Sequence, residues 1–170
     1  MNRKVFIKRS VLAGLGITIV PQINLPQVKE KPQPYPNNLI KEFVQAGHNN
    51  IDKVKEMLSE FPNLIYCRYD WGGGDFEEAI EGAGHLGNKE IAEYLIGQGA
   101  RVNIFVLTML GRIHVVKELI NSYPEMLYSK GAHGFSLLHH ARIGGIDSEE
   151  LYSYFQEKGL KENKFDIHGK

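Results

Sequence analysis

From Asn37 onward the apolar residues recur at helical spacing, in short runs separated by polar corners. Leu39, Ile40, Phe43 and Val44 share one face. Ile51, Val54, Met57 and Leu58 make a second face, which Pro62 closes. The corner between them, Gly47-His48-Asn49-Asn50, holds residues that tolerate left-handed backbone. Asp75 with Glu78 predicts a capping box for a helix carrying Ala79, Ile80 and Ala83. Gly87-Asn88 breaks that helix, and Ile91, Ala92, Leu95 and Ile96 follow before Gly97 and Gly99. Ile104, Leu107 and Thr108 come next, then a break at Gly111, then Val115, Val116, Leu119 and Ile120 up to Pro124. The last run holds Ser136, Leu137, Leu138 and Ala141, with a corner at Gly144-Gly145. Asp147 with Glu150 predicts a second capping box before Leu151, Tyr154 and Phe155.

The pattern therefore predicts an all-α domain over residues 37–160, built from about four helix–turn–helix units, and a tail over 161–170. The corners at Asn49, Gly87, Gly111 and Gly145 are spaced by 38, 24 and 34 residues. One such unit cannot bury its own apolar face, so neighbours must stack. The longest spacing predicts an extra loop around Tyr69 to Gly74. The shortest brings Asn103 almost directly into a helix.

Residues 1–20 have another character. Arg3, Lys4, Lys8 and Arg9 precede the apolar run Val11–Val20, with no acidic residue. That is the layout of an export signal, and the run is short for a membrane span. Asn2-Arg3-Lys4-Val5-Phe6-Ile7-Lys8 resembles the twin-arginine export motif, with Lys4 where a second arginine is expected. Export to a periplasm or secretion is the expectation, in preference to a cytoplasmic place. Membrane contact is expected only through this segment, if it stays uncleaved. Pro21, Pro26, Pro32, Pro34 and Pro36 make residues 21–36 an extended linker.

Of the 170 residues, 42% are apolar and 24% charged, enough for a packed core. Twenty basic and twenty acidic residues cancel, which argues against a nucleic-acid partner. The single cysteine, Cys67, excludes an internal disulfide and a thiolate zinc site.

Gly87 to Ala100 reads Gly-x-x-x-Ile-Ala-x-x-Leu-Ile-x-x-Gly-Ala, which resembles the second half of an ankyrin repeat. Gly134-Phe135-Ser136-Leu137-Leu138-His139-His140-Ala141 resembles the first half, with Ser136 and Leu137 where that family has Thr-Pro. Gly72-Gly73-Gly74-Asp75, Met109-Leu110-Gly111-Arg112 and His133-Gly134 are similar to segments of bacterial exported ankyrin-repeat proteins. The resemblance implies a short ankyrin solenoid with irregular loops. It makes His139 a structural histidine and Gly87, Gly111 and Gly145 corner residues. It also implies a non-catalytic scaffold that binds another protein, with no cofactor and no metal.

The residues offered for binding are Tyr69, Trp71, Asp75, His133, His140 and Arg142. Trp and Tyr supply rigid contact area, and Gly72-Gly73-Gly74 permits a sharp loop. No Gly-Lys-Ser/Thr follows, so this is not a phosphate-binding P-loop. His139 and His140 are adjacent on a predicted helix and point about 100° apart, which disfavours a shared metal. Glu78, Glu81 and His85 are expected to form surface ion pairs. The alternative is a small-ligand or hydrolase-like site joining Trp71, Asp75, His133 and His140.

Overall fold

Pro36 ends a stretch without regular structure, and α1 (Asn37–Asn49) starts directly after it. The structure, a computed structural model, describes residues 31–169, with the folded unit beginning at Pro34. The signal-like segment and residues 21–30 of the linker lie outside the described residues. Among the described residues, no helix is long and apolar enough to cross a membrane.

The helices follow the apolar runs, and side-chain caps start several of them. Asn50 caps α2 (Ile51–Glu60) by accepting from the Lys53 N–H. A 3-10 turn, Pro62–Tyr66, then leads into a two-stranded antiparallel hairpin, β1 (Arg68–Asp70) and β2 (Phe76–Glu78). After it come α3 (Ala79–Leu86) and α4 (Lys89–Gly97), with Asn88 accepting from the Ile91 N–H. Asn103 leads straight into α5 (Ile104–Met109) and accepts from the Phe105 and Val106 N–H groups. Then come α6 (Ile113–Ser122), 3-10 turns at Pro124–Tyr128 and Ala132–Gly134, α7 (Leu137–Gly144) and α8 (Glu149–Glu157). Each such cap contributes about 1 kcal/mol.

Both predicted capping boxes are corrected. Residues 76–78 pair with 68–70 as a strand, so α3 cannot begin until Ala79. Its box is made by Glu78 and Glu81 instead. Asp147 and Glu150 reach across to Lys89 and Lys117. Ser148 precedes α8, and its hydroxyl donates to the backbone oxygens of Thr108 and Met109 rather than capping the helix.

The expected ankyrin solenoid is corrected as well. The chain forms an all-α bundle with long-range helix packing and a small hairpin, arranged in three layers. α1, α3, α5 and α7 form the middle layer, α2, α4, α6 and α8 lie on one side, and the hairpin with the irregular loops lies on the other. In a solenoid a repeat touches only its neighbours. Here α3 packs on α1 and α5 and also reaches α7, and α1 reaches α4. The connections do not repeat either. One is a hairpin, one is a bare turn into Asn103, and one is a pair of 3-10 turns.

The apolar core has two parts. Phe43, Leu64, Ile80, Ile91 and Leu95 anchor the first, and Ile120, Leu137, Leu138, Leu151 and Phe155 the second. After Leu160, which is fully buried, the tail folds back on the loop before α7. The Ser136 N–H donates to Asn163 O and the Phe165 N–H to Gly134 O.

Two glycines set the approach of α1 to α3. A Cβ on Gly47 would lie 2.6 Å from the Ala79 Cα, and one on Gly82 would lie 2.7 Å from His48 Nδ1. Gly47→Ala is therefore expected to lower stability by about 1–3 kcal/mol, read by chemical denaturation. Its obstacle is backbone, which cannot swing aside. An unchanged midpoint would show that the two helices are not in this contact.

Candidate functional site

The close approach of α1 and α3 brings their last turns together, and each carries a histidine there. His48 ends α1 and His85 ends α3, with their rings edge-to-face at 4.9 Å. The hairpin supplies the rest. Side chains alternate along β2, so Phe76 points to solvent while Glu77 points inward and is fully buried. Tyr69 is the cross-strand partner of Glu77, and the Trp71 N–H donates to Asp75 O, so Tyr69, Trp71, Asp75 and Glu77 share one face.

The fourth member comes from the loop before α7. His133 has φ 58°, and it is the one non-glycine with left-handed backbone among the described residues. That conformation costs about 1–3 kcal/mol and persists where its surroundings fix it. Asp75 does so here, accepting from the His133 backbone N–H at 2.8 Å and from its ring Nδ1 at 2.6 Å.

Glu77 is the hub. Its Oε1 lies 2.8 Å from His85 Nε2 and 3.3 Å from His48 Nε2. Its Oε2 lies 3.5 Å from His133 Nε2 and accepts from the Trp71 indole N–H at 2.7 Å. One ligand atom from each of His48, Glu77, His85 and His133 lies within 4.8 Å of every other. Donor atoms around a tetrahedral zinc ion, with bonds near 2.0–2.1 Å, stand roughly 3.3 Å apart. The Glu77 contacts already have that scale.

The charges follow from this packing. Burial pushes the Glu77 carboxyl up, but hydrogen bonds from His48 and His85 and their charges outweigh it and hold it at about 2. Burial pulls His48 down, and the Glu77 hydrogen bond and charge more than reverse this, so its net shift is upward.

The hydrogen positions are more informative. His48 Nδ1 lies 3.0 Å from Val44 O, which can only accept, so that nitrogen carries the hydrogen. His133 Nδ1 is fixed in the same way by the Asp75 carboxylate. Both histidines then turn Nε2 toward Glu77. A bare Nε2 lone pair facing a carboxylate oxygen is repulsive, so each needs a proton or a shared cation between. Nδ1 hydrogen-bonded outward to a carbonyl or carboxylate, with Nε2 free inward, is the arrangement that orients metal-binding histidines. His85 differs, because its Nδ1 is buried with no hydrogen-bond partner.

Trp71, Asp75 and His133 thus come together, with Tyr69 against the Trp71 ring at 4.9 Å. His140 does not join them. Its Nδ1 donates to Ser136 O, its ring packs on Phe105, and burial drives its pKa down to about 3. His139 Nε2 lies 2.9 Å from the backbone oxygen of His85, and its ring stacks on Phe135. Burial, the largest influence on His139, lowers its pKa. Arg142 is exposed on α7. Gly87, Gly111 and Gly145 stand at corners with positive φ.

The surface ion pairs expected of Glu78, Glu81 and His85 are corrected, since all three are buried. Glu81 accepts from the Glu78 N–H and from Asn103, while His85 turns to Glu77. The expectation of a purely non-catalytic scaffold is corrected on the same ground, because a largely buried cluster with ligand-like geometry joins α1, the hairpin, α3 and the loop before α7. Sequence reasoning passed over Glu77 and took His48 for a corner residue. The available signal was positional, with two histidines on the last turns of successive first helices and two acids alternating after the glycine turn.

No protein-family model matches the chain, and no curated protein matches it. The ankyrin resemblance is thus without support from known families as well as from the packing.

Proposed function

We propose that the protein binds a divalent transition-metal ion of the zinc class through His48, Glu77, His85 and His133. The observation that carries this reading is the pair of histidines whose Nδ1 hydrogens are fixed outward while their Nε2 atoms converge on a buried carboxylate. Imidazole and carboxylate are the donors that zinc accepts. Asp75 and Val44 O would orient His133 and His48, and Trp71 would hold Glu77. The side chains of His48 and His133 remain 19% and 24% exposed, so the centre is reachable from solvent on their side. Four protein ligands fill a tetrahedral zinc, so a water or small ligand entering from that side would add as a fifth donor, which is the route to chemistry on a bound ligand.

The chain's single tryptophan donates directly to Glu77, which makes its emission a built-in probe. Chelator-treated full-length protein titrated with Zn²⁺ is expected to show a saturable change in Trp71 emission and a heat of binding, both ending at one ion per chain. Metal loading should also raise the unfolding temperature, because only the folded chain presents the four ligands together. A flat calorimetric trace, with emission and melting unmoved by Zn²⁺ or Co²⁺, would reject the reading.

A further inference from the structure

A cavity of about 290 Å³ lies beside the hairpin and meets the cluster at Asp75. Arg68 and Phe76 line it from the strands, Glu81 from α3, Lys130 and Ala132 from the loop that carries His133, and Ile167 from the tail. Its hydrogen-bonding capacity is lopsided. Both carboxylates in the wall are already engaged with protein donors. Asp75 spends one oxygen on the His133 backbone N–H and the other on its ring. Glu81 accepts from the Glu78 N–H at 2.7 Å, from Asn103 Nδ2 at 2.8 Å and from Arg68 Nη2 at 3.3 Å.

The cations are not saturated. Lys130 Nζ donates once, to Asp166 O at 2.7 Å, and forms no ion pair among the described residues. An ammonium has three hydrogens to give, so two remain. Arg68 uses Nε and Nη2 toward Glu78 and Glu81, which leaves its Nη1 hydrogens free. Besides the backbone of Gly73, Gly74 and Gly131, the remaining side chains of the wall are apolar. Ala132 is buried, Ile167 half-buried, and the Phe76 ring is 48% exposed. An exposed phenyl ring beside unspent cationic donors suits neither an inorganic ion alone nor an apolar ligand alone.

We infer that this cavity is a binding site for a small organic carboxylate, whose charged end meets Lys130 and Arg68 and whose apolar body lies against Phe76 and Ile167. The site does not depend on a metal at the histidine cluster.

The test uses full-length protein stripped of metal on a chelating resin, with no soluble chelator present, so that no carboxylate can act as a metal ligand. Benzoate, acetate and inorganic phosphate are titrated separately while the backbone amide spectrum is recorded. Benzoate is expected to shift the amides of Gly73, Gly131 and Ala132 and to bind about tenfold more tightly than acetate or phosphate. Lys130→Gln, at an exposed position, should leave melting unchanged and weaken benzoate about tenfold. Phe76→Ala should bring benzoate down to the level of acetate. Benzoate binding no better than phosphate, or unchanged by Lys130→Gln, would overturn the assignment. So would shifts that appear only after Zn²⁺ is added. Because the carboxylate titrations are metal-free, with Zn²⁺ added only in a separate control, failure here leaves the metal reading standing, and failure of the metal titration leaves this site untouched.

Discussion

Glu77→Gln is expected to weaken zinc binding by more than about 100-fold, beyond the 10–100-fold seen when a partner behind a metal ligand is lost. The substitution keeps the shape and removes the charge. It also restricts the side chain to one orientation. One side of the Glu77 carboxylate faces His48 and His85, and the other faces Trp71 and His133. An amide has one accepting oxygen and one donating nitrogen. With the oxygen kept for the Trp71 N–H, the NH₂ faces His48 and His85, whose Nε2 atoms must then be unprotonated to accept from it.

Metal-free Glu77→Gln should in addition lose about 3–5 kcal/mol of stability, the scale found when one member of a buried charged set is removed. Calorimetric titration reads the first effect and urea unfolding in EDTA the second. Asp75→Asn is the graded comparison. It loosens His133 without touching a ligand atom, so its affinity should fall between wild type and Glu77→Gln. Wild-type zinc affinity in Glu77→Gln would remove the carboxylate from the site and the proposed function with it.

The helices were legible because apolar spacing is a local signal. Phe43 and Val44, Ile91 and Leu95, and Val116 and Ile120 all lie on the faces that the spacing selects. Asn50, Asn88, Asn103 and Ser136 mark four helix starts in plain sight. The arrangement of those helices was not local, and there the reading went wrong. A contact between α3 and α7 leaves no trace in the spacing of either helix. The hairpin was missed for a related reason. Phe76-Glu77-Glu78 reads as a polar helix start, yet pairing with Arg68-Tyr69-Asp70 makes it a strand and turns Glu77 inward.

The site inherited both errors. Trp71, Asp75 and His133 could be singled out because they stand in unusual local sequence. His48 and His85 could not, since each looks ordinary alone and acquires meaning only where Gly47 and Gly82 let two helix ends meet. His140 misled for the converse reason. It stands beside other histidines in sequence, while its ring is directed by the turn of α7 to the Ser136 carbonyl.

Metal-free protein is expected to lose several kcal/mol of stability as the pH falls from neutrality to about 3, in two stages assigned to two residues. His140 acts first. Its folded pKa of about 3 lies below the ordinary 6.5, because burial penalises the charged ring. Below pH 6.5 the unfolded chain takes up a proton that the folded chain refuses. Its contribution is therefore present in full above 6.5 and is lost progressively toward pH 3, to a total of about 4 kcal/mol at 1.36 kcal/mol per pH unit. Glu77 acts second. Its folded pKa of about 2 lies below the ordinary 4.5, so its contribution is complete above 4.5 and is lost as the pH falls through 2, a further loss of about 3 kcal/mol. His48 has the opposite sign. Its raised pKa gives stability that is full below 6.5 and is lost as the pH rises through its folded value. By pH 3 the His140 loss and only part of the Glu77 loss have accrued, already a large share of a typical total of about 5–15 kcal/mol. Urea midpoints measured in EDTA at intervals from pH 7.5 to 3 resolve the two stages. His140→Asn keeps a donor for Ser136 O and cannot titrate, so it should flatten the slope between pH 6.5 and 4.5 and leave the lower stage in place. An unaltered upper slope in that variant would show that His140 is not the buried neutral histidine that sets it.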